Sequence, residues 1–148
     1  MKKLSLLFTL TMLFTSNVFA KTCEIEISSN DRMQFDKKEL TVSSECKEVQ
    51  LTLKHSGKLA ANVMGHNWVL TETSNYQKVG QEGMRAGLEN QYVPPNDSRV
   101  LAFTKIIGGG ESTQITFNLD QLSKEKSYTF FCSFPGHWAI MNGTFKIE

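Results

Sequence analysis

Tyr128-Thr129-Phe130-Phe131-Cys132-Ser133-Phe134-Pro135-Gly136-His137-Trp138-Ala139-Ile140-Met141 is followed at once by Asn142-Gly143-Thr144-Phe145-Lys146-Ile147. The stretch reads as strand, loop, strand. Tyr128 to Phe131 is a short apolar run, and Thr144 to Ile147 alternates polar and apolar residues, as a half-buried strand does. The loop between them sets a thiol, an imidazole and a thioether within ten residues. Those three donors favour soft, late first-row metals over magnesium or calcium. Two sulfurs of unequal strength with imidazole suit copper best. A second imidazole would complete a His₂Cys set with a weak Met contact, an arrangement used for electron transfer.

Similar alternation runs through Glu24-Ile25-Glu26-Ile27, Glu48-Val49-Gln50-Leu51-Thr52-Leu53 and Gln114-Ile115-Thr116-Phe117-Asn118-Leu119. Period-two patterning puts one face in the core and the other in water. Turn clusters separate these runs: Ser28 to Asp31, Ser56-Gly57, Pro94 to Asp97 and Gly108 to Gly110. Short strands at this spacing predict an all-β sandwich or barrel of antiparallel or mixed sheets. Ser74 to Asn90 lacks alternation. It predicts a short helical segment outside the sandwich, N-capped by Ser74, carrying Tyr76, Val79, Met84 and Leu88, and broken by Gly80, Gly83 and Gly87.

The first twenty residues predict a secretory signal peptide. Lys2-Lys3 precede the apolar run Leu4 to Phe14, and Val18-Phe19-Ala20 offers small residues for cleavage. The run is short for a membrane anchor. Residues 21–148 then form a single domain exported to the periplasm. Without Lys2 and Lys3, 14 basic side chains stand against 15 acidic ones, a net charge of −1. Such a balance gives no global pull toward nucleic acid or a membrane surface.

Three cysteines are an odd number for an oxidising compartment. Cys23 and Cys46 lie in the first strand-rich segment without ligand-like neighbours and are expected to pair. Lys21, two residues before Cys23, argues against a lipid-anchored cysteine. Cys132 is left as the free thiol, which export would oxidise unless it were buried or metal-bound. Among the three histidines, His66 in Asn62-Val63-Met64-Gly65-His66-Asn67-Trp68-Val69-Leu70 is the candidate second imidazole. Gly65 lets its own carbonyl approach a metal closely. His55 has no ligand-like neighbours and reads as structural. A structural zinc site would be one strong ligand short. No Asp or Glu adjoins His66 or His137 to serve a catalytic zinc, and no oxyanion feature accompanies Cys132 to support a thiol enzyme.

At these residues the chain resembles the azurins, blue-copper proteins of the cupredoxin fold. The resemblance rests on Asn62 to Leu70, on Ser98-Arg99-Val100 after Asp97, and on Phe130 to His137 with Met141. It extends to Cys23 and Asn30 to Phe35, and so covers nearly all of residues 21–148. It implies a Greek-key β-sandwich and copper held by His66, Cys132 and His137. Weak contacts would come from Met141 and the Gly65 carbonyl. It makes Asn67 the link between the two ligand loops, and has the Phe134 N–H bond the Cys132 sulfur. The Cys23–Cys46 pairing agrees with it.

The function implied is single-electron shuttling by a non-enzymatic monomer, with no membrane anchor. Its transient partners would be c-type cytochromes or periplasmic reductases. A copper carrier without a redox duty is the alternative, though no exposed Met-rich tract favours it. Electrons would pass at the edge of His137, ringed by Met33, Leu59, Val63, Met64, Phe134, Pro135, Ala139 and Ile140, a face suited to brief docking. Phe103 and Trp138 depart from some relatives, so partner preference does not carry over.

Overall fold

The computed structural model describes residues 21–148; the expected signal peptide lies outside the described residues. Nine strands fill two mixed sheets. The first sheet holds β1 (Thr22–Asn30), β2 (Gln34–Phe35), β4 (Glu48–His55) and β7 (Ser112–Asn118), in the order β2-β1-β4-β7. The second holds β3 (Glu39–Val42), β5 (Val69–Glu72), β6 (Val100–Phe103), β8 (Tyr128–Phe131) and β9 (Asn142–Ile147), in the order β3-β9-β8-β5-β6. The chain crosses repeatedly between the layers, so β1 pairs with β4 and β3 with β9 in parallel, while the other pairs are antiparallel. Two α-helices interrupt the strands, α1 (Ala61–Met64) and α2 (Tyr76–Ala86).

The alternation seen in the sequence sets the interior. On β4, Val49, Leu51, Leu53 and His55 face inward and are buried, while the residues between them face outward. Trp68 lies at the centre among Phe117, Phe130 and Phe145, with ring centroids 5.8, 6.0 and 6.3 Å away. Its indole Nε1 is the one buried side-chain nitrogen or oxygen without a partner among the described residues. Its ring is packed among aromatic side chains, and each large side chain buried there contributes roughly 1.5–3 kcal/mol. Cys23 and Cys46 are joined by a disulfide.

β8 is buried along its whole length because α2 covers its outer face. The helix seats Val79 against Val69, Val93 and Phe131. The sequence predicts a helical segment broken at Gly80, Gly83 and Gly87; it is broken at Gly87, whose φ of +76° separates α2 from the turn Leu88–Asn90, but α2 runs unbroken for 11 residues through Gly80 and Gly83. Gly80 and Gly83 belong to its packed face. A Cβ on Gly80 would come within 2.7 Å of the Trp138 ring, and one on Gly83 within 2.1 Å of the Tyr92 carbonyl. Close packing therefore outweighs the poor helix propensity of glycine. The start also differs: the residue before the helix is Asn75, not Ser74, and it makes no side-chain cap. Met84 and Leu88 are exposed instead of lying on the packed face. The turn expected at Ser28 to Asp31 begins later, because Ser28 to Asn30 continue β1 beside β2 and β4.

Leu51→Ala should destabilise the metal-free protein by about 2–5 kcal/mol, because the fully buried site cannot collapse around the cavity. The denaturant midpoint checks this; a loss within the scatter of surface substitutions would contradict the packing described.

Candidate metal centre

Three separate segments meet at one end of the sandwich. The first is the single helical turn α1 with Gly65 and His66 after it. His66 is not yet in β5. It forms an isolated antiparallel bridge with Ile107, its N–H donating to the Ile107 carbonyl at 3.0 Å and its carbonyl accepting in return at 2.9 Å. Gly65 has an ordinary φ of −68°. Space demands glycine there: a Cβ would lie 2.2 Å from the Ala61 carbonyl and 2.6 Å from Ile106.

The second segment leaves β8 at Cys132. Phe134-Pro135-Gly136-His137 forms a turn closed by the His137 N–H on the Phe134 carbonyl at 2.9 Å, with Gly136 at φ +82°. Pro fixes the second position and only Gly adopts the third without strain. The chain then returns. The Met141 N–H donates to the His137 carbonyl at 2.8 Å, and the Met141 carbonyl accepts from the Cys132 N–H at 2.9 Å. Met141 is fully buried, and its backbone ties both ends of the loop together. The third segment, around Gln91, reaches the other two through Asn67.

Cys132 Sγ lies 3.6 Å from His66 Nδ1 and 3.5 Å from His137 Nδ1. The Gly65 carbonyl oxygen is 3.9 Å from the same sulfur. His66, Cys132 and His137 are the one group of three possible metal-ligating side chains among the described residues, with ligand atoms within 4.8 Å of one another. All three are buried. The tautomer of His66 follows from its other nitrogen. Nε2 sits 2.9 Å from the Asn30 carbonyl, which can only accept, so Nε2 carries the proton and the Nδ1 lone pair faces the sulfur.

Burial lowers both imidazoles to about 4, although the bond to Asn30 works against this at His66. Both rings are therefore neutral donors at neutral pH. Burial pushes the Cys132 thiol up to about 12, while the backbone N–H groups of Asn67 and Phe134 pull it partly back. A thiolate in this pocket needs a cation in place of its proton. One soft sulfur and two neutral imidazole nitrogens, with no carboxylate in the group, fit a copper ion well.

Asn67 joins the segments. Its Nδ2 donates to Ser133 Oγ at 2.7 Å and to the Gln91 carbonyl at 2.9 Å, and its Oδ1 accepts from the Ser133 N–H at 2.8 Å. Ser133 and Gln91 escaped sequence reading because no local pattern marks partners 66 and 24 residues away. Gln91 is the third anchor: in the left-handed region at φ 58°, it also accepts from the Ile106 N–H through Oε1 at 2.7 Å. His55 stands outside the group. Its Nδ1 accepts from the Gly57 N–H at 3.0 Å and its Nε2 faces the Met64 carbonyl at 2.9 Å, so both nitrogens are used. Its ring lies against His66 with centroids 4.5 Å apart.

Around this end Leu59, Val63 and Ile140 are 41, 58 and 56% exposed. Pro135 and Ala139 are exposed, and Met33 and Met64 half-buried. Phe134 is only 9% exposed and packs its ring 4.7 Å from that of His137, so it lies beneath the patch. Phe103 is exposed on β6, and Trp138 is half-buried against α2.

The family model for copper binding proteins of the plastocyanin/azurin family matches residues 21–148. The chain is 54% identical over 134 residues to an azurin of Bordetella pertussis, covering 90% of this chain and 89% of that protein. It is 44% identical over 139 residues to an azurin of Pseudomonas aeruginosa, covering 94% of each. Among solved structures, an azurin (Az-iso2) from the obligate methylotroph Methylomonas sp. strain J superposes with a TM-score of 0.83. That likeness is at 44% identity and covers 85% of this chain and 98% of that one.

Asn67→Leu should leave the buried Ser133 N–H without its partner, and the Ser133 hydroxyl with only its 3.5 Å bond to the Gln91 carbonyl, and destabilise the metal-free protein by about 1–3 kcal/mol. Chemical denaturation of the metal-free variant measures this. An unchanged midpoint would show that the two loops are held by other contacts.

Proposed function

The chain belongs to the plastocyanin/azurin family of copper-binding proteins, and from that premise we propose that His66, Cys132 and His137 bind one copper ion, with Met141 and the Gly65 carbonyl as weaker contacts. Bound there, copper supplies a one-electron Cu(II)/Cu(I) couple, and the protein is a type 1 copper electron-transfer protein. The observation that carries the reading is the preassembled donor set, with Sγ facing two Nδ1 atoms in a pocket free of carboxylates.

The chain's own residues serve that task by staying still. His66 is held by the Asn30 carbonyl, His137 by its turn, and Cys132 by the Met141 backbone. Each ligand is therefore fixed from a rigid frame, which keeps rearrangement on gain or loss of an electron small. The N–H groups of Asn67 and Phe134 aim at the Cys132 sulfur and lower its basicity. The complete burial of Met141 and Cys132 excludes water from the sulfur donors. In this reading the protein is not an enzyme, since Cys132 is out of reach of any substrate.

Residues 1–20 act as a cleaved signal peptide, and residues 21–148 work in the periplasm as a monomer. The Cys23–Cys46 disulfide supports an oxidising compartment. No helix among the described residues is long and apolar enough to cross a membrane. Redox partners, c-type cytochromes or periplasmic reductases, would dock briefly on the face formed by Met33, Leu59, Val63, Met64, Pro135, Ala139 and Ile140, with Phe134 beneath it. Electrons would pass at the edge of His137.

Cu(II) added to the purified metal-free protein should give an intense blue colour that a mild reductant bleaches reversibly without metal loss. Cys132→Ser should abolish the colour, and Met141→Ala should keep it with an altered potential. A colourless product, or reduction that expels the metal, would contradict the assignment. Met64→Lys should slow electron self-exchange while leaving the absorption spectrum nearly unchanged; an unaltered exchange rate would remove the docking face.

A further inference from the structure

His66 and His137 are held in different ways. The Asn30 carbonyl meets His66 Nε2 at 2.9 Å. Among the described residues His137 Nε2 has no hydrogen-bond partner, while Nδ1 faces Cys132 Sγ at 3.5 Å. A ligand imidazole is normally oriented through its second nitrogen, so His137 must be held by other means. Its ring is flanked by those of Phe134 and His66, with centroids 4.7 and 5.0 Å away. Those neighbours limit its tilt, but they do not stop the loop from drawing away from Cys132.

The next residue, Trp138, reaches across to α2. It packs against the buried cluster of Val69, Val79, Val93 and Phe131. α2 opens a notch for it at Gly80, where a Cβ would lie 2.7 Å from the indole Cγ and 3.1 Å from Cδ2. Glycine weakens a helix interior, and the notch is what α2 gains in return. The Trp138 backbone is held as well. Its carbonyl accepts from Asn142 Nδ2 at 3.1 Å, and the same Nδ2 meets the Ala139 carbonyl at 3.3 Å. The cluster under α2 thus contains Phe131, the residue before Cys132, and receives Trp138, the residue after His137. Cys132 and His137 therefore have chain neighbours packed into one cluster.

We propose that Trp138 is a positioning residue for the metal centre: seated in the Gly80 notch, it anchors the ligand loop to α2 and so holds His137 beside Cys132. The inference rests on the reading of His66, Cys132 and His137 as copper ligands. Its physical basis is close packing. Withdrawing His137 would drag the adjacent indole out of its notch and open a void against α2, which forfeits the contacts on both sides. Groups behind metal ligands set how firmly a metal is held, by roughly ten- to a hundredfold in affinity. Trp138 supplies by packing what Asn30 supplies to His66 by a hydrogen bond.

The test is the rate at which bicinchoninate removes Cu(I) from the copper-loaded, ascorbate-reduced protein. The copper hyperfine splitting of the Cu(II) form, by electron paramagnetic resonance, is a second readout. W138A should speed removal by about tenfold and alter the splitting. W138F keeps the Cβ and Cγ that meet Gly80 and should stay within about threefold of the parent. G80A pushes a methyl group into the indole and should also speed removal, although alanine is the better helix former. In W138A only the Cβ remains in the notch, 3.0 Å from the added methyl, so there G80A should add less than about twofold. Denaturation of the metal-free proteins measures the packing contribution separately.

Removal rates near the parent's in both W138A and G80A, with an unchanged splitting, overturn the proposal whatever the variants lose in metal-free stability; Trp138 would then be packing alone. An equal effect of G80A in the parent and in W138A also overturns it, because the action would lie in the helix and not on the indole. If W138A does not fold, the other two variants decide. Faster removal in G80A with W138F near the parent supports the anchor, and G80A at the parent's rate overturns it. If the parent takes up Cu(II) without an intense blue colour, the ligand assignment fails first, and the anchor falls with it.

Discussion

Cys132 Sγ sits between two imidazole nitrogens, 3.6 and 3.5 Å away, with no exposure to water. Burial holds the thiol up at about 12 and both imidazoles down at about 4. The neutral rings can donate lone pairs, but they cannot offset a thiolate's charge. A cation must do that, and the pocket admits no carboxylate that would draw a hard metal. The remaining features of this end of the molecule follow from keeping that sulfur buried and its neighbours fixed.

The sandwich supplies the fixity. Cys132 leaves the end of β8, a strand buried on both faces by the core and α2. His66 is pinned by the bridge to Ile107 and by the Asn30 carbonyl. Asn67 then closes the distance between the two segments through Ser133 and Gln91. No single segment contains the site, so neither the donor spacing nor the exclusion of water survives without the fold. The same end exposes an apolar face, with Leu59, Val63 and Ile140 open to solvent.

Some of this was readable from residue order alone. Cys132, His137 and Met141 lie within one loop, and Pro135-Gly136 announces its turn. His66 required a different argument, because nothing in its spacing links it to Cys132; the scarcity of histidines and the family resemblance pointed to it. The alternation of β4 and β7 was plain; β3 alternates too but over four residues only, whereas β2 and β6 are too short, or too dependent on their neighbours, to show a pattern. The break at Gly87 is legible, but Gly80 and Gly83 do not break α2, because propensity counts glycine against a helix and cannot see Trp138 and Tyr92 pressing on those two positions. Met84 on α2 and Leu88 just after it looked like a packed face but are exposed, since α2 turns Val79, Gly80 and Gly83 inward. The partnership of Asn67 with Ser133 and Gln91 is set by tertiary geometry, and no local signal marks it.

The central claim is that the fold holds the donors in place whether or not an electron is present. Crystal structures of the metal-free, Cu(II) and Cu(I) forms in one crystal form test it most directly. The account predicts that Cys132 Sγ keeps its spacing to His66 Nδ1 and His137 Nδ1 in all three, with the Asn67–Ser133 bonds intact. A rotamer change at Cys132 or His137 between the Cu(II) and Cu(I) forms, or loss of the Asn67 link on metal removal, would contradict it.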